Sequence, residues 1–414
     1  MKKLLALLLA ALVALSFPGL AEHTREEVRA AYARINDWSA ESPYAEAPSP
    51  AAPYAAGALT EAARRDALNT LNFTRWLAGL EPVEESRVYD FQCQLGAVLL
   101  AAVDRLTHDA PNPGDMDADF YESAHLATMS ANIARFNWMR PSILREGVSY
   151  FLRDDGETNL SVLGHRRWAL NPAMSATGFG LANSASGMSY VVMYAHDTGR
   201  EDARWDAVCW PSAGAFPATL MHADLAWSVM LNPEIYDLSR SSPVVTLSEA
   251  GGARSFRFVP GQTEGGACAL NFDGYGAGPC LIFLPDFTGT GFTDYEQNQR
   301  WTVHVDGLVD TFGMAEPLDY TVEMISLQVV DVAALEISPL ELTLAPGERA
   351  RLSAEVIPAY ADDLTVHWLS GDEDIARVDA DGTVTALRPG ACEIICHSAN
   401  GRSDACRLTV ADKK

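Results

Sequence analysis

The sequence is short of positive charge: 30 Lys and Arg stand against 55 Asp and Glu, a formal net charge of −25 over 414 residues. A surface of that sign repels phosphate backbones and anionic headgroups, which excludes nucleic acid as a partner. The seven cysteines (93, 209, 268, 280, 392, 396 and 406) include no CxxC pair, so a zinc–thiolate site has no support. No P-loop, GxSxG, HExxH, dinucleotide-binding or EF-hand pattern occurs. After its first residues the chain also lacks any run near the roughly 20 apolar residues that a spanning helix needs.

The start is the exception. Lys2 and Lys3 precede an apolar run from Leu4 to Leu15, then Ser16, Phe17, Pro18 and a small-residue site, Gly19-Leu20-Ala21. This is the pattern of a secretory signal peptide over 1–21, too short and wrongly flanked for a membrane span. The mature chain is therefore expected outside the cell or at its surface, with no transmembrane segment, and no cysteine marks a lipid anchor at the cleavage point. Export permits disulfides. An odd count leaves at least one thiol unpaired or intermolecular. Cys268 and Cys280 flank a Gly-rich turn region, and Cys396 and Cys406 flank Asn400-Gly401, a hairpin signal. Each pair is either a bridge between neighbouring strands or two small buried hydrophobes.

With 48% hydrophobic residues, the chain has the material for two to four domains. Residues 22–58 begin with mixed charge suited to a short helix and continue as a Pro, Ala, Ser and Tyr stretch, either a linker or a strap over the first domain. Residues 59–198 carry helical spacing. Phe73, Trp76, Leu77 and Leu80 fall at i, i+3, i+4 and i+7. Leu95, Val98, Leu99, Ala102, Val103 and Leu106 make one stripe that stops before His108, and Pro111 and Pro113 forbid its continuation. Two further helices are expected over about 117–134 and 142–153, and strands after Pro172. Residues 199–328 show short alternating strands, such as Trp301, Val303 and Val305, which predict a β-sandwich. Residues 329–414 read as a second small sandwich, with Leu352, Ala354 and Val356 alternating and a turn at Asp381-Gly382.

The chemistry concentrates on His108, at the end of an amphipathic helix, and His165, after a glycine in a turn-like segment. Two imidazoles in one cleft can ligate a divalent metal or act as acid and base. Asp154, Asp155 and Glu157 lie just before His165. A carboxylate beside an imidazole raises its pKa and fixes its tautomer; otherwise the three form a solvated loop. Arg166 and Arg167 either hold an anionic ligand or pair with nearby carboxylates. Trp168 is expected in the core.

Several segments then match known families. Leu68-Asn-Thr-Leu-Asn-Phe-Thr-Arg-Trp-Leu-Ala-Gly-Leu, Leu106-Thr-His108, Ala131-Asn132-Ile133, Gly164-His165-Arg-Arg-Trp-Ala-Leu-Asn-Pro and Gly178-Phe-Gly occur in this order over 59–198. Together they resemble the CAP (SCP-like) superfamily. The resemblance implies an α-β-α sandwich whose central cleft carries two histidines and two acids. His108 and His165 take the histidine positions, and the helical acid falls on Asp154, with Asp155 as the neighbouring alternative. Ala131 stands where the family usually has Glu, so the other acid does not carry over. The cleft set is then His108, His165, Asp154, Asn132 and Arg166, and the set for a divalent cation such as zinc is His108, His165 and Asp154. Residues 205–327 resemble a β-rich segment that follows such domains in exported bacterial proteins, on Trp210-Pro211, Phe216-Pro217, Trp227-Ser-Val and Leu231-Asn-Pro. Residues 331–410 resemble a bacterial Ig-like domain of group 2, on Leu342-Thr-Leu-Ala-Pro-Gly, Val356-Ile-Pro, Val366-His-Trp-Leu-Ser and Ala376-Arg-Val-Asp-Ala-Asp-Gly-Thr-Val-Thr-Ala. The implied fold class is α+β, a CAP-like α-β-α sandwich followed by two all-β (Ig-like) sandwiches. The implied role is an exported surface binding or adhesion module with a lipid, peptide or wall fragment in the His108/His165 cleft. The alternative is a divalent-metal-dependent hydrolase using the same cleft.

Overall fold

The start of the ordered chain is set by a capping box: Thr24 accepts from the Glu27 amide while the Glu27 side chain returns to the Thr24 amide, opening α1 (Arg25–Ala33). The computed structural model describes residues 20–156 and 160–412. The signal-peptide reading of 1–21 therefore falls almost wholly outside the described residues, as does Glu157. After α1, β1 (Tyr44–Glu46) pairs with β2 (Ala58–Leu59), and the Tyr44 hydroxyl donates to Asn183 at 2.6 Å. The segment read as a linker or a strap is thus bonded to the helical part through Tyr44.

The helical part follows as α2 (Glu61–Leu77), β3 (Glu84–Glu85), α3 (Arg87–Val103), α4 (Ala118–Met129), β4 (Ala131–Phe136), α5 (Ile143–Arg153), α6 (Gly164–Ala169), β5 (Ala176–Thr177), β6 (Phe179–Asn183) and β7 (Ser189–Tyr194). Strands β4, β7 and β6, in that order, form an antiparallel three-stranded sheet. Alternation along the strands gives each face its own helices. Ile133, Tyr190, Val192 and Ala182 share a core with Val98 and Leu99 of α3 and Ala124 of α4. Val191 points the other way, where a Cβ on Gly147 of α5 would lie 2.7 Å from its Cγ1. Each fully buried side chain of this kind contributes on the order of 1.5–3 kcal/mol. At Gly180 the backbone of β6 lies against α3, so a Cβ there would meet the Cys93 carbonyl oxygen at 2.1 Å. Gln94 of α3 exchanges both amide hydrogen bonds with Leu181, completing the edge of the sheet. The helix expected over about 117–134 ends at Met129, because Ala131–Phe136 pairs residue for residue with Ser189–Tyr194. Leu106 lies beyond α3 and is 41% exposed, so the apolar stripe closes at Val103.

The β-rich part holds β8 (Ala207–Trp210), β9 (Gly214–Pro217), β10 (Trp227–Leu231), β11 (Val244–Glu249), β12 (Ser255–Phe258), β13 (Gly266–Asn271), β14 (Cys280–Pro285), β15 (Arg300–Asp306) and β16 (Leu318–Ile325). A four-stranded sheet, β13-β14-β10-β8, faces a five-stranded one, β12-β11-β15-β16-β9. Trp227 of the first and Trp301 of the second are fully buried with ring centroids 6.5 Å apart. This sandwich and the helical part form one compact unit that ends at Ile325. His23 ties the two together: its carbonyl accepts from Ala215 at 2.7 Å, and its ring stacks on Trp76 of α2 at 3.7 Å.

The second unit begins at Ser326. It contains β17 (Ala334–Ser338), β18 (Glu341–Leu344), β19 (Arg349–Arg351), β20 (Ser353–Ile357), β21 (Val366–Ser370), β22 (Ala376–Val378), β23 (Thr383–Ala386), β24 (Gly390–Ser398) and β25 (Ser403–Val410). They pair as β17-β20, β18-β25-β24-β21 and β19-β23-β22 around a core that includes Leu352, Val384, Ile394 and Leu408. Taken whole, the protein is mostly β with some helices. Among the described residues, no helix is long and apolar enough to cross a membrane.

All seven cysteines are unbonded. The ladder registers explain why neither suggested bridge forms. Cys268 stands opposite Phe283, Cys280 opposite Asn271, and Cys406 opposite Ile394. Six of the seven are buried and pack as small hydrophobes.

Candidate functional site

His108 follows α3, whose C-cap Asp104 takes the left-handed conformation that turns the chain out of the helix. The Thr128 hydroxyl donates to the His108 carbonyl at 2.7 Å, and His108 Nδ1 lies 2.7 Å from the Thr128 carbonyl. A carbonyl only accepts, so Nδ1 carries the proton and Nε2 keeps a lone pair. His165 stands in the first turn of α6. Its Nδ1 is 2.8 Å from Asp154 Oδ1, and the Phe151 ring lies beside it at 5.5 Å. Asp154 caps α5 with φ of 52° and is buried, and its second oxygen accepts from the Arg166 amide at 3.2 Å. The backbone of Asp154 thus closes α5, while its carboxylate serves an unpaired amide of α6 and fixes the His165 tautomer. Among the described residues, Nε2 of His108 and of His165 has no protein partner.

Both histidines line one cleft of about 630 Å³, with Asn132, Trp168 and His196. Asn132 of β4 donates its amide to the His165 carbonyl at 2.9 Å. His196 is a cleft residue that sequence reasoning missed. The Ala195 amide bonds the Ser130 carbonyl at 3.0 Å, an extension of the β4–β7 pairing that carries His196 to the same end of the sheet as Ala131. Its ring lies 4.3 Å from Trp168. Burial lowers the His196 pKa below the usual imidazole value, and the neighbouring His108 lowers it further.

Three sequence readings are corrected here. Trp168, expected in the core, is half-buried and lines the cleft. Arg166, expected in the cleft, is 1% exposed and spends its guanidinium on backbone carbonyls: Leu152 and Ala226 at 2.6 Å and Arg153 at 2.8 Å. Burial pulls it down to about 10, so it stays charged at neutral pH, and its work is to join the end of α5 to β10. Asp154, expected as a metal ligand, is turned to the back of His165, while Asp155 is exposed. A catalytic zinc needs three protein ligands and an open position. Among the described residues, no group of three or more His, Cys, Asp and Glu side chains is placed to hold a metal ion. The residues present do not fit the His108, His165 and Asp154 zinc set.

The opposite wall comes from the β-rich part: Asp273, Gly274 and Tyr275 in the turn between β13 and β14. Arg167 holds that turn, donating to Asn271 Oδ1 at 2.6 Å and to the carbonyls of Asp273 at 2.7 Å and Gly278 at 2.9 Å. The Gly-rich turn noticed between two cysteines thus forms one wall of the cleft. Nothing in its local sequence marks it, because its place depends on contacts about 100 residues away along the chain.

Curated relatives share short segments with this chain. A lacto-N-biosidase of Bifidobacterium bifidum is 38% identical over 71 residues, 17% of this chain and 6% of the relative. An Ig-like virion protein of Serratia phage KSP90 is 37% identical over 89 residues, 21% of this chain and 34% of the relative. The chain therefore spans about a third or less of the length of these relatives. Among solved structures, an intimin mutant of EHEC O157:H7 is 22% identical, with 18% of this chain and 45% of that chain covered and a TM-score of 0.16. Residues 331–410 match the family of bacterial Ig-like domains (group 2), and that part of the chain belongs to it.

Proposed function

We propose that the chain is an exported bacterial surface protein with a CAP-like domain at 59–198, whose His108/His165 cleft binds a ligand drawn from lipids, peptides or cell-wall fragments. One observation carries this reading: two histidines 57 positions apart line a single cleft, each tied back through Nδ1. The helices on both faces of the β4-β7-β6 sheet support the CAP resemblance, and the group 2 Ig-like domain supports a place at the cell surface. The absence of a third metal ligand among the described residues weighs against the hydrolase alternative. Equilibrium binding of the purified chain to solubilised cell-wall fragments, to mixed tryptic peptides and to phospholipid vesicles tests the reading. The wild type is expected to retain one of the three, and a His108→Ala, His165→Ala variant to lose at least about tenfold in affinity, or about 1.4 kcal/mol. Equal retention by a folded double variant would remove the cleft from the function.

A further inference from the structure

The cleft has two aromatic rings on different walls. Tyr275 is 37% exposed, yet its position is fixed: a Cβ on Gly164 would stand 2.9 Å from its Cδ1 and Cε1, and the Arg167 guanidinium lies 5.5 Å from the ring centroid. Trp168 is half-buried, with His196 against it. Between the rings stand groups left free to accept hydrogen bonds. The Nε2 atoms of His108 and His165 have no protein partner among the described residues. Asn132 has committed its amide nitrogen to the His165 carbonyl, and Asp273 Oδ2 already accepts from Asn271 at 2.9 Å, leaving Asn132 Oδ1 and Asp273 Oδ1 as acceptors.

This lining discriminates among ligand chemistries. An acyl chain would cover three imidazoles, an amide and a carboxylate and offer none of them a hydrogen bond, at a cost of about 1–3 kcal/mol for each group left unpaired. An anion would meet Asp273 within a chain of net charge −25. A neutral sugar meets neither penalty. Its axial C–H face packs on an aromatic ring, and its hydroxyls donate to the carboxylate, amide and imidazole acceptors. A volume of about 630 Å³ leaves room for a short oligosaccharide.

We infer that the cleft takes a neutral oligosaccharide, with one sugar ring packed on Tyr275 and its hydroxyls shared among His165, His108 and Asp273. The inference rests on the cleft reading above and narrows its ligand to one class.

Isothermal titration calorimetry on the full chain tests it, with chitotetraose, cellotetraose, xylotetraose and maltotetraose as probes and tetragalacturonate as the anionic control. At least one neutral probe is expected to bind. Tyr275→Ala is expected to weaken it at least about tenfold and Tyr275→Phe, which keeps the ring, less than about twofold. Gly164→Ala, which pushes the ring from its seat, should weaken the same probe while leaving His165 in place. Thermal melts confirm that each variant is folded. Binding by the anionic control alone, or by none of the probes, overturns the inference. If Tyr275→Ala changes nothing while His108→Ala, His165→Ala abolishes binding, the sugar-stacking inference falls and the cleft reading stands. If neither variant changes binding, both fall.

Discussion

His196 shows how a single side chain can tie the cleft to pH. Its pKa lies below the unfolded value of 6.5, so in the window just under that value the unfolded chain binds more protons than the folded one. Stability therefore rises with pH across the window and is lost as the medium is acidified through it. His196→Gln keeps polarity and removes the proton. The difference in melting temperature of the first unit between about pH 7 and about pH 5 is expected to shrink in that variant. An unchanged difference would show that other groups set the acid response. The same residue marks a limit of sequence reading. His108, His165, Asp154 and Asn132 sit in local motifs and could be picked out one segment at a time. His196 sits in none, and its place in the cleft follows from the strand pairing that brings Ala195 to Ser130. Arg166 failed in the opposite direction. Two charges beside a histidine suggest an anion site, yet a buried guanidinium satisfies its donors with whatever acceptors lie nearest, and here those are carbonyls.

Among the elements, α6 is short but holds three others. Its first turn receives Asp154 from the end of α5, Arg166 reaches β10, and Arg167 grips the turn between β13 and β14. Arg167→Met would leave the Asp273 and Gly278 carbonyls and the Asn271 side chain without their charged donor. The expected cost is about 1.5–3 kcal/mol, with faster hydrogen exchange across 272–279 and no change across 326–414. Retained protection in the turn would mean that Tyr275 and the strands suffice to hold it. Helix periodicity was readable where the apolar stripe faces a large core, as in α3. It misled at Ala131–Phe136, whose short Ala-Asn-Ile-Ala-Arg-Phe run suits either a helix or a strand. Pairing with Ser189–Tyr194, far along the chain, decides between them.

For the whole molecule, the division that matters lies at Ile325 and Ser326 rather than between the helical and β-rich parts. Sequence composition separated 59–198 from 199–328 because the first has helical spacing and the second alternates. It carried no trace of the Arg166–Ala226, Arg167–Asn271 and His23–Ala215 bonds that merge them. The Ig-like unit has its own core and was legible throughout, since its turns and alternating strands are local signals. A chain ending at Ile325 and a fragment beginning at Ser326 are each expected to melt cooperatively, at temperatures within about 2–4 °C of the corresponding transitions of the full chain. Calorimetry on the three proteins checks this, and loss of either transition on separation would contradict two independent cores.

The unbonded cysteines have a consequence for how such a protein matures. Burial pushes the Cys280 thiol up to about 11 and the Cys268 thiol up to about 12, so little thiolate is present to react at neutral pH. A chain of this kind asks nothing of a disulfide-forming oxidase or a disulfide isomerase. It can reach its native form in an anaerobic or strongly reducing niche, where a scaffold stapled by disulfides would come apart.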